Sequence, residues 1–250
     1  MCERALFFSD LDGTLIFSAA KRQPGDILCE TKDGQEISCI TARQAELLPG
    51  LDIIPVTTRS IEQFRRISIP GFRPEYALAD NGGTLLVNGI PDPDWTADSM
   101  RFVRESAREL ADCRRVLESD PCRCFEIRMV DGMFLFTKSG DPESTVAKLS
   151  EAAGERVRCY STGSKVYALP VGLCKGAAAA RLAERIAPHR RIICAGDSMM
   201  DVPLLDIADA AVFPEDMRGA GITAPEVITA PRERFPEFVT EYFARIKDRQ

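Results

Sequence analysis

The chain is short of histidine, of net positive charge and of long apolar runs, and each shortage removes a class of function. It carries one histidine, His189, and one closely spaced cysteine pair, Cys122-Arg123-Cys124. A structural zinc site wants four nitrogen or sulfur ligands at close spacing. That supply is missing, so the pair is expected to be structural. The formal net charge is -6, which argues against a broad nucleic-acid-binding face while leaving room for a local basic pocket. No apolar run approaches the roughly 20 residues needed to span a bilayer. The opening stretch MCERALFFSD places charges before a four-residue apolar run, which does not fit a secretory leader. Internal repeats and low-complexity tracts are also missing.

Cysteine is plentiful: nine, an odd number, scattered from Cys2 to Cys194. Without a leader, a disulfide framework is not expected, and the cysteines are read as thiols of a cytoplasmic protein. The 250 residues suit one large domain or a main domain with a smaller insert.

Short apolar runs recur, often followed by helical patterns: Ala5–Ser9, Asp52–Val56, Tyr76–Ala79, Arg191–Ala195 and Ala210–Phe213. Continuous runs of this length fit strands buried on both faces of a parallel sheet. Pro55 marks a strand end or irregularity. Thr41 with Gln44, and Ser60 with Gln63, have capping-box spacing. Asp141-Pro142 reads as a helix start and Gly154 as a stop. Residues 175–186 are alanine-rich and helix-forming. Strands alternating with helices predict an α/β fold, a doubly wound, Rossmann-like parallel-sheet core.

Two segments break that rhythm. Residues 27–40 read as a hairpin turning at Asp33-Gly34, close enough to the first acidic motif to act as a flap. Residues 88–163 read as helix (98–117), strand (123–130), strand (133–138), helix (142–153) and strand (156–160), with a hairpin turn at Asp131-Gly132. A strand at Lys165–Leu169 leads out. We therefore expect a core domain of residues 1–87 and 164–250 and an inserted, smaller α+β domain of residues 88–163.

Four constellations carry chemistry. Asp10 and Asp12, in FFSDLDGTLI, follow the first apolar run. Positions i and i+2 of a strand point the same way, and ligands of open parallel sheets collect beyond the C-terminal strand ends. Two carboxylates there repel unless a cation or a shared proton compensates. An Asp-Gly turn, with Asp10 capping a backbone group, is the alternative. Gly196-Asp197-Ser198-Met199-Met200-Asp201 repeats the arrangement after another apolar strand. Asp197 and Asp201 can share one face of a turn, or Asp197 can simply cap the next helix. Thr57, Thr58 and Arg59 end the strand DIIPV, where a hydroxyl beside a helix start suits a phosphoryl oxygen or merely lines a helix entry. Lys175 opens a helix, a position the dipole does not favour for a cation, so it is either a site lysine or a surface one.

Taken in order, DLDGTL, a strand ending in threonine, a lysine and GDSMMD resemble the four motifs of the haloacid dehalogenase (HAD) phosphohydrolase superfamily. They span residues 6–201. The insert lies where the sucrose-phosphate phosphatase-like, Cof-type subgroup carries an α/β cap, and ALADNGG (Ala77–Gly83) resembles the segment leading into that cap. Met200 departs from the pattern, since many relatives have asparagine there.

The resemblance implies a Mg²⁺-dependent phosphomonoester hydrolase acting on a small phosphate ester, a sugar phosphate first in line. It implies Asp10 as nucleophile, and Asp12 as general acid and then base. It implies metal held by Asp10, Asp12 through its backbone carbonyl, Asp197 and Asp201. Thr57 and Lys175 would neutralise the phosphoryl oxygens, with Thr58, Arg59, Asn81 and Ser198 as secondary contacts. Arg123, Arg128 and Lys138 of the insert would meet a polar substrate or face solvent. A phosphotransferase on the same fold and a non-catalytic phosphometabolite sensor are the rivals. No nucleic-acid or membrane partner is expected, and nothing in the chain specifies an oligomeric state.

Overall fold

The strand Leu6–Ser9 is apolar on both sides because it lies inside a sheet covered on both faces: all four of its residues are buried. The computed structural model describes residues 5–249; Cys2, counted among the thiols above, lies outside them. The chain divides into two compact units, one from the chain up to Pro91 and from Lys175 onward, the other Asp92–Cys174.

The first unit is built on five parallel strands in the order Glu226–Ala230, Ala210–Pro214, Ile192–Ala195, Leu6–Ser9 and Ile53–Pro55. Leu6–Ser9 pairs with Ile192–Ala195 on one side and Ile53–Pro55 on the other. The chain therefore runs outward to one side, crosses back and builds the other side. That reversal places a topological switch point at the C-terminal end of the first strand, the usual ligand position in doubly wound sheets. Pro55 is tolerated because its strand is at the edge of the five-stranded sheet.

Phe7 stacks on Phe243 of the helix Phe235–Lys247, with ring centroids 4.8 Å apart, in a core that includes Leu11, Leu48 and Val239. Gln44 of the helix Ala42–Leu47 is buried yet satisfied: its amide donates to the Leu15 and Pro236 carbonyls and to the Thr240 hydroxyl. Both expected capping boxes form, Thr41 with Gln44 and Ser60 with Gln63. The hairpin Ile27–Lys32 with Gln35–Ile40 turns at Asp33 and Gly34, both at positive φ, and Phe17–Ser18 adds a third strand.

Tyr76–Ala79 departs from expectation. It does not extend the parallel sheet as a full strand but touches it through one parallel bridge, Val56 to Leu78. Its ladder is antiparallel with Thr84–Val87, because the chain reverses at once through Asp80 and Asn81, both left-handed.

The second unit has an antiparallel sheet ordered Val157–Thr162, Lys165–Pro170, Phe134–Lys138 and Arg128–Val130. Its bounds are Asp92 and Cys174, against the expected 88 and 163, because Lys165–Pro170 pairs on both sides within this sheet instead of leading out. The helix expected over 98–117 is two helices, Pro93–Glu105 and Ala107–Ser119. They break at Ser106, whose hydroxyl donates to the Phe102 and Arg156 carbonyls. The expected strand 123–130 shortens to Arg128–Val130.

The eight described cysteines are free thiols. No described helix is long and apolar enough to cross a membrane.

Gly176 sets how closely the helix Lys175–Ile186 approaches Val202–Asp206. A Cβ there would lie 1.9 Å from the Pro203 carbonyl oxygen, a backbone atom with no rotamer to yield. Gly176→Ala should therefore cost about 1–3 kcal/mol, as overpacking does, read as a lower urea midpoint. A wild-type midpoint would contradict this packing.

Candidate active site

Asp10 is the first residue past the central strand. Its N–H donates to the Ala195 carbonyl at 2.9 Å, extending the parallel pairing by one step and placing the residue at the C-terminal end of the strand. Leu11 turns into the core at 1 % exposure, so Asp10 and Asp12 leave the core side together. The chain then turns at Gly13, at φ +85°, where a Cβ would lie 2.3 Å from an Asp197 carboxylate oxygen. The glycine is what lets the two acidic loops meet.

Lys175 opens the helix Lys175–Ile186 and is 3 % exposed. Its ammonium donates to Asp10 Oδ1 at 2.5 Å and to Asp201 Oδ1 at 2.6 Å. The other Asp10 oxygen accepts from the Thr14 hydroxyl at 3.4 Å. The other Asp201 oxygen accepts from the Asp197 and Ser198 N–H groups and the Ser198 hydroxyl. Asp201 therefore anchors both the lysine and the loop that presents Asp197. Arg232 donates to the Asp197 carboxylate and carbonyl, both at 3.0 Å, and also grips Asp216.

Burial pushes the Asp10 carboxyl well above the usual carboxylate range, with the Asp201 charge adding to the rise and Lys175 opposing it. Burial and Asp201 likewise push Asp197 up to about 6, against the pull of Arg232 and Lys175. Burial alone would lower Lys175, but Asp10 and Asp201 hold it well above its ordinary value. Asp10, Asp197 and Asp201 offer oxygens within 4.8 Å of one another, the one such group among the described residues. Three carboxylates around one ammonium leave a surplus of negative charge. With hard oxygen donors only, that set fits a hard divalent cation such as Mg²⁺.

The Asp12 carboxylate is not one of these three, though its charge acts on Asp197. Arg59 forks onto both of its oxygens, each at 2.7 Å. Arg59 also reaches Glu30 of the hairpin at 2.8 Å. Thr57 is buried, and its hydroxyl accepts from the Arg59 N–H at 3.1 Å. Thr58 is half-buried. Asn81 is buried and donates its N–H to the Thr57 carbonyl at 2.8 Å, so it braces that loop. Ser60 caps a helix of only five residues. Met200 is buried in apolar fashion.

Sequence reasoning missed Arg232 and Glu30, which arrive from remote segments with no local motif. In the second unit, Arg123 donates to the Leu117 and Phe125 carbonyls and so supports backbone. Arg128 and Lys138 stand over the Phe125 ring at 4.7 and 5.2 Å.

The chain has the fold of the haloacid dehalogenase-like hydrolases. A sucrose-phosphatase from Synechocystis sp. PCC6803, solved with sucrose and phosphate, matches with a TM-score of 0.63 and 18 % identity over 96 % of this chain and 98 % of that one. A trehalose-6-phosphate phosphatase related protein gives 0.58 and 17 % over 98 % and 100 %. A haloacid dehalogenase-like hydrolase from Bacteroides thetaiotaomicron gives 0.55 and 14 % over 98 % and 100 %. No family model and no curated protein sequence matches the chain.

A carboxyl raised on folding holds protons more tightly in the folded state, so it costs stability as pH rises through its window. For Asp197 that window runs from the ordinary carboxylate value to about 6. A divalent cation held by these carboxylates would compete with those protons, so added Mg²⁺ should raise the melting temperature more at about pH 7 than at about pH 5. Asp197→Asn should raise the metal-free melting temperature mainly at the higher pH and blunt the Mg²⁺ shift. Equal Mg²⁺ shifts at both pH values would contradict the assignment.

Proposed function

We propose that this chain is a Mg²⁺-dependent phosphomonoester hydrolase that acts on a small phosphorylated metabolite, a sugar phosphate first in line, through an aspartyl-phosphate on Asp10. The carrying observation is the buried Lys175 ammonium between Asp10 and Asp201 at the C-terminal edge of the parallel sheet. That arrangement sets a cation beside the carboxyl that would attack and opposes the rise that burial imposes on it.

Asp10 supplies the nucleophilic oxygen. It forms a bond to phosphorus in line as the bond from phosphorus to the leaving oxygen breaks. Asp12, protonated once it has left Arg59, gives that proton to the leaving oxygen. In the second half, Asp12 takes a proton from water as the water oxygen bonds to phosphorus, and Asp10 is released as carboxylate with inorganic phosphate. Lys175 and the Thr57 hydroxyl balance charge on the non-bridging oxygens. Asp10, Asp197 and the Asp12 carbonyl would hold Mg²⁺, with Asp201 supporting it directly or through water and ordering the loop. When bound, the ion supplies charge neutralisation to the transferring phosphoryl group. Thr58, Asn81 and Ser198 shape the loops around it.

The second unit serves as a cap that excludes water and reads the leaving group. The names of two neighbours in fold, a sucrose-phosphatase and a trehalose-6-phosphate phosphatase related protein, support a sugar phosphate. The free thiols support a reducing, cytoplasmic setting.

A panel of phosphate esters, assayed for phosphate release with no acceptor added, tests this. We expect release that chelation abolishes and Mg²⁺ restores. Asp10→Asn should lose on the order of 10³-fold or more, as loss of a nucleophile does, with its melting transition intact. Near wild-type turnover by that variant would overturn the assignment. Phosphate transfer only to an added sugar would favour a phosphotransferase.

A further inference from the structure

The hairpin contributes a buried acid that the proposed mechanism does not use. Glu30 is a charged residue on a strand otherwise paired in a small surface sheet, yet its side chain is fully buried. The strand Ile27–Lys32 loses regular register on both sides of Glu30, between Leu28 and Glu30 and between Glu30 and Thr31. Such bulges re-aim a side chain beside active sites. Here the carboxylate is turned onto three donors: the Ser38 hydroxyl at 2.8 Å, Arg59 at 2.8 Å and Arg66 at 3.2 Å. Burial alone would raise Glu30, but hydrogen bonds and charge from Arg59, with Ser38 and Arg66, hold it below the usual carboxylate range.

Arg59 is thus shared between two carboxylates of different character. The Glu30 side chain is 0 % exposed and the Asp12 side chain 45 %. A buried charge pair is costly to break, because the abandoned partner stays desolvated. Asp12 is the half-exposed member, so water replaces its lost partner at low cost, while Arg59, 11 % exposed, keeps Glu30. Arg59 therefore stays with Glu30 when Asp12 moves. While Asp12 rests on Arg59, both of its oxygens accept from the guanidinium, and neither is turned to a leaving group.

We propose that Glu30 is a positioning residue for the leaving-group end of the reaction: it fixes Arg59, and Arg59 holds Asp12 in a defined resting position from which it is released toward the leaving oxygen. This rests on the phosphatase assignment above and on Asp12 as proton donor. Glu30 itself touches no reacting atom. Its role is to keep Arg59 neutralised and in place, so that Asp12 neither wanders between turnovers nor drags the guanidinium with it.

The test separates protonation of the leaving group from the rest of catalysis. Wild type, Glu30→Gln and Ser38→Ala are assayed with an alkyl phosphate of the panel, such as glycerol 3-phosphate, and with p-nitrophenyl phosphate, whose leaving group needs no proton. General acid catalysis is worth about 10²–10⁴-fold. Glu30→Gln should therefore lose about tenfold or more in kcat on the alkyl ester, and much less on the aryl ester, with KM little altered. Ser38→Ala, which removes one donor to the same carboxylate, should shift the ratio of the two rates in the same direction by a smaller factor. It carries the test if Glu30→Gln does not fold. An equal loss on both esters, or an unchanged ratio in both variants, overturns the proposal while leaving the phosphatase assignment standing. A wild type that releases phosphate from no ester of the panel, with or without Mg²⁺, overturns both.

Discussion

The Lys175 ammonium, 2.5 Å from Asp10 and 2.6 Å from Asp201, is the interaction on which the rest of the site depends. Three buried charges from segments 165 and 26 residues apart meet at one point. None is tolerable there alone. Removing one member of such a buried group costs about 3–5 kcal/mol, mainly because the others stay desolvated. The doubly wound topology makes the meeting possible. It brings the ends of Leu6–Ser9 and Ile192–Ala195 side by side, and Gly176 lets the lysine helix approach the helix that follows Asp201.

Around that centre the acidic residues are sorted by partner. Asp12 is held by Arg59, and Asp197 by Arg232, both from outside the buried group. The two arginines are themselves shared with further carboxylates, Glu30 and Asp216. On the Arg232 side exposure rises outward, from Asp197 at 18 % to Asp216 at 57 %, whereas on the Arg59 side it falls from Asp12 at 45 % to Glu30 at 0 %. Asp12, the half-exposed member, can exchange partners at low cost, and it is the one the proposed chemistry moves to the leaving group.

Much of this was legible in the sequence, for identifiable reasons. Strands buried on both faces read as continuous apolar runs, which is how Leu6–Ser9 and Ile192–Ala195 stand out. Capping boxes at Thr41 and Ser60, and the turns at Asp33-Gly34 and Asp131-Gly132, are short-range signals that survive folding. The site aspartates and Lys175 were visible because each follows or opens a regular element. What was hidden is long-range. Glu30 and Arg232 matter through partners 29 and 35 residues away, and nothing local marks them. The break at Ser106 depends on a hydrogen bond to Arg156. The placement of Lys165–Pro170 depends on strand pairing. The carboxylates of Asp10 and Asp12 were expected on one side, the first as nucleophile and the second as acid and base. Both leave the core together, but Arg59 draws Asp12 away from the buried cluster.

The central claim is that Asp10 carries the phosphoryl group during turnover. Borohydride quenching of the protein during steady-state turnover tests it directly, since reduction of an aspartyl-phosphate leaves homoserine at that position. The account predicts homoserine at residue 10 in the peptide mass spectrum, dependent on both substrate and Mg²⁺. Continued phosphate release with an unmodified Asp10, or with modification at another residue, would contradict it.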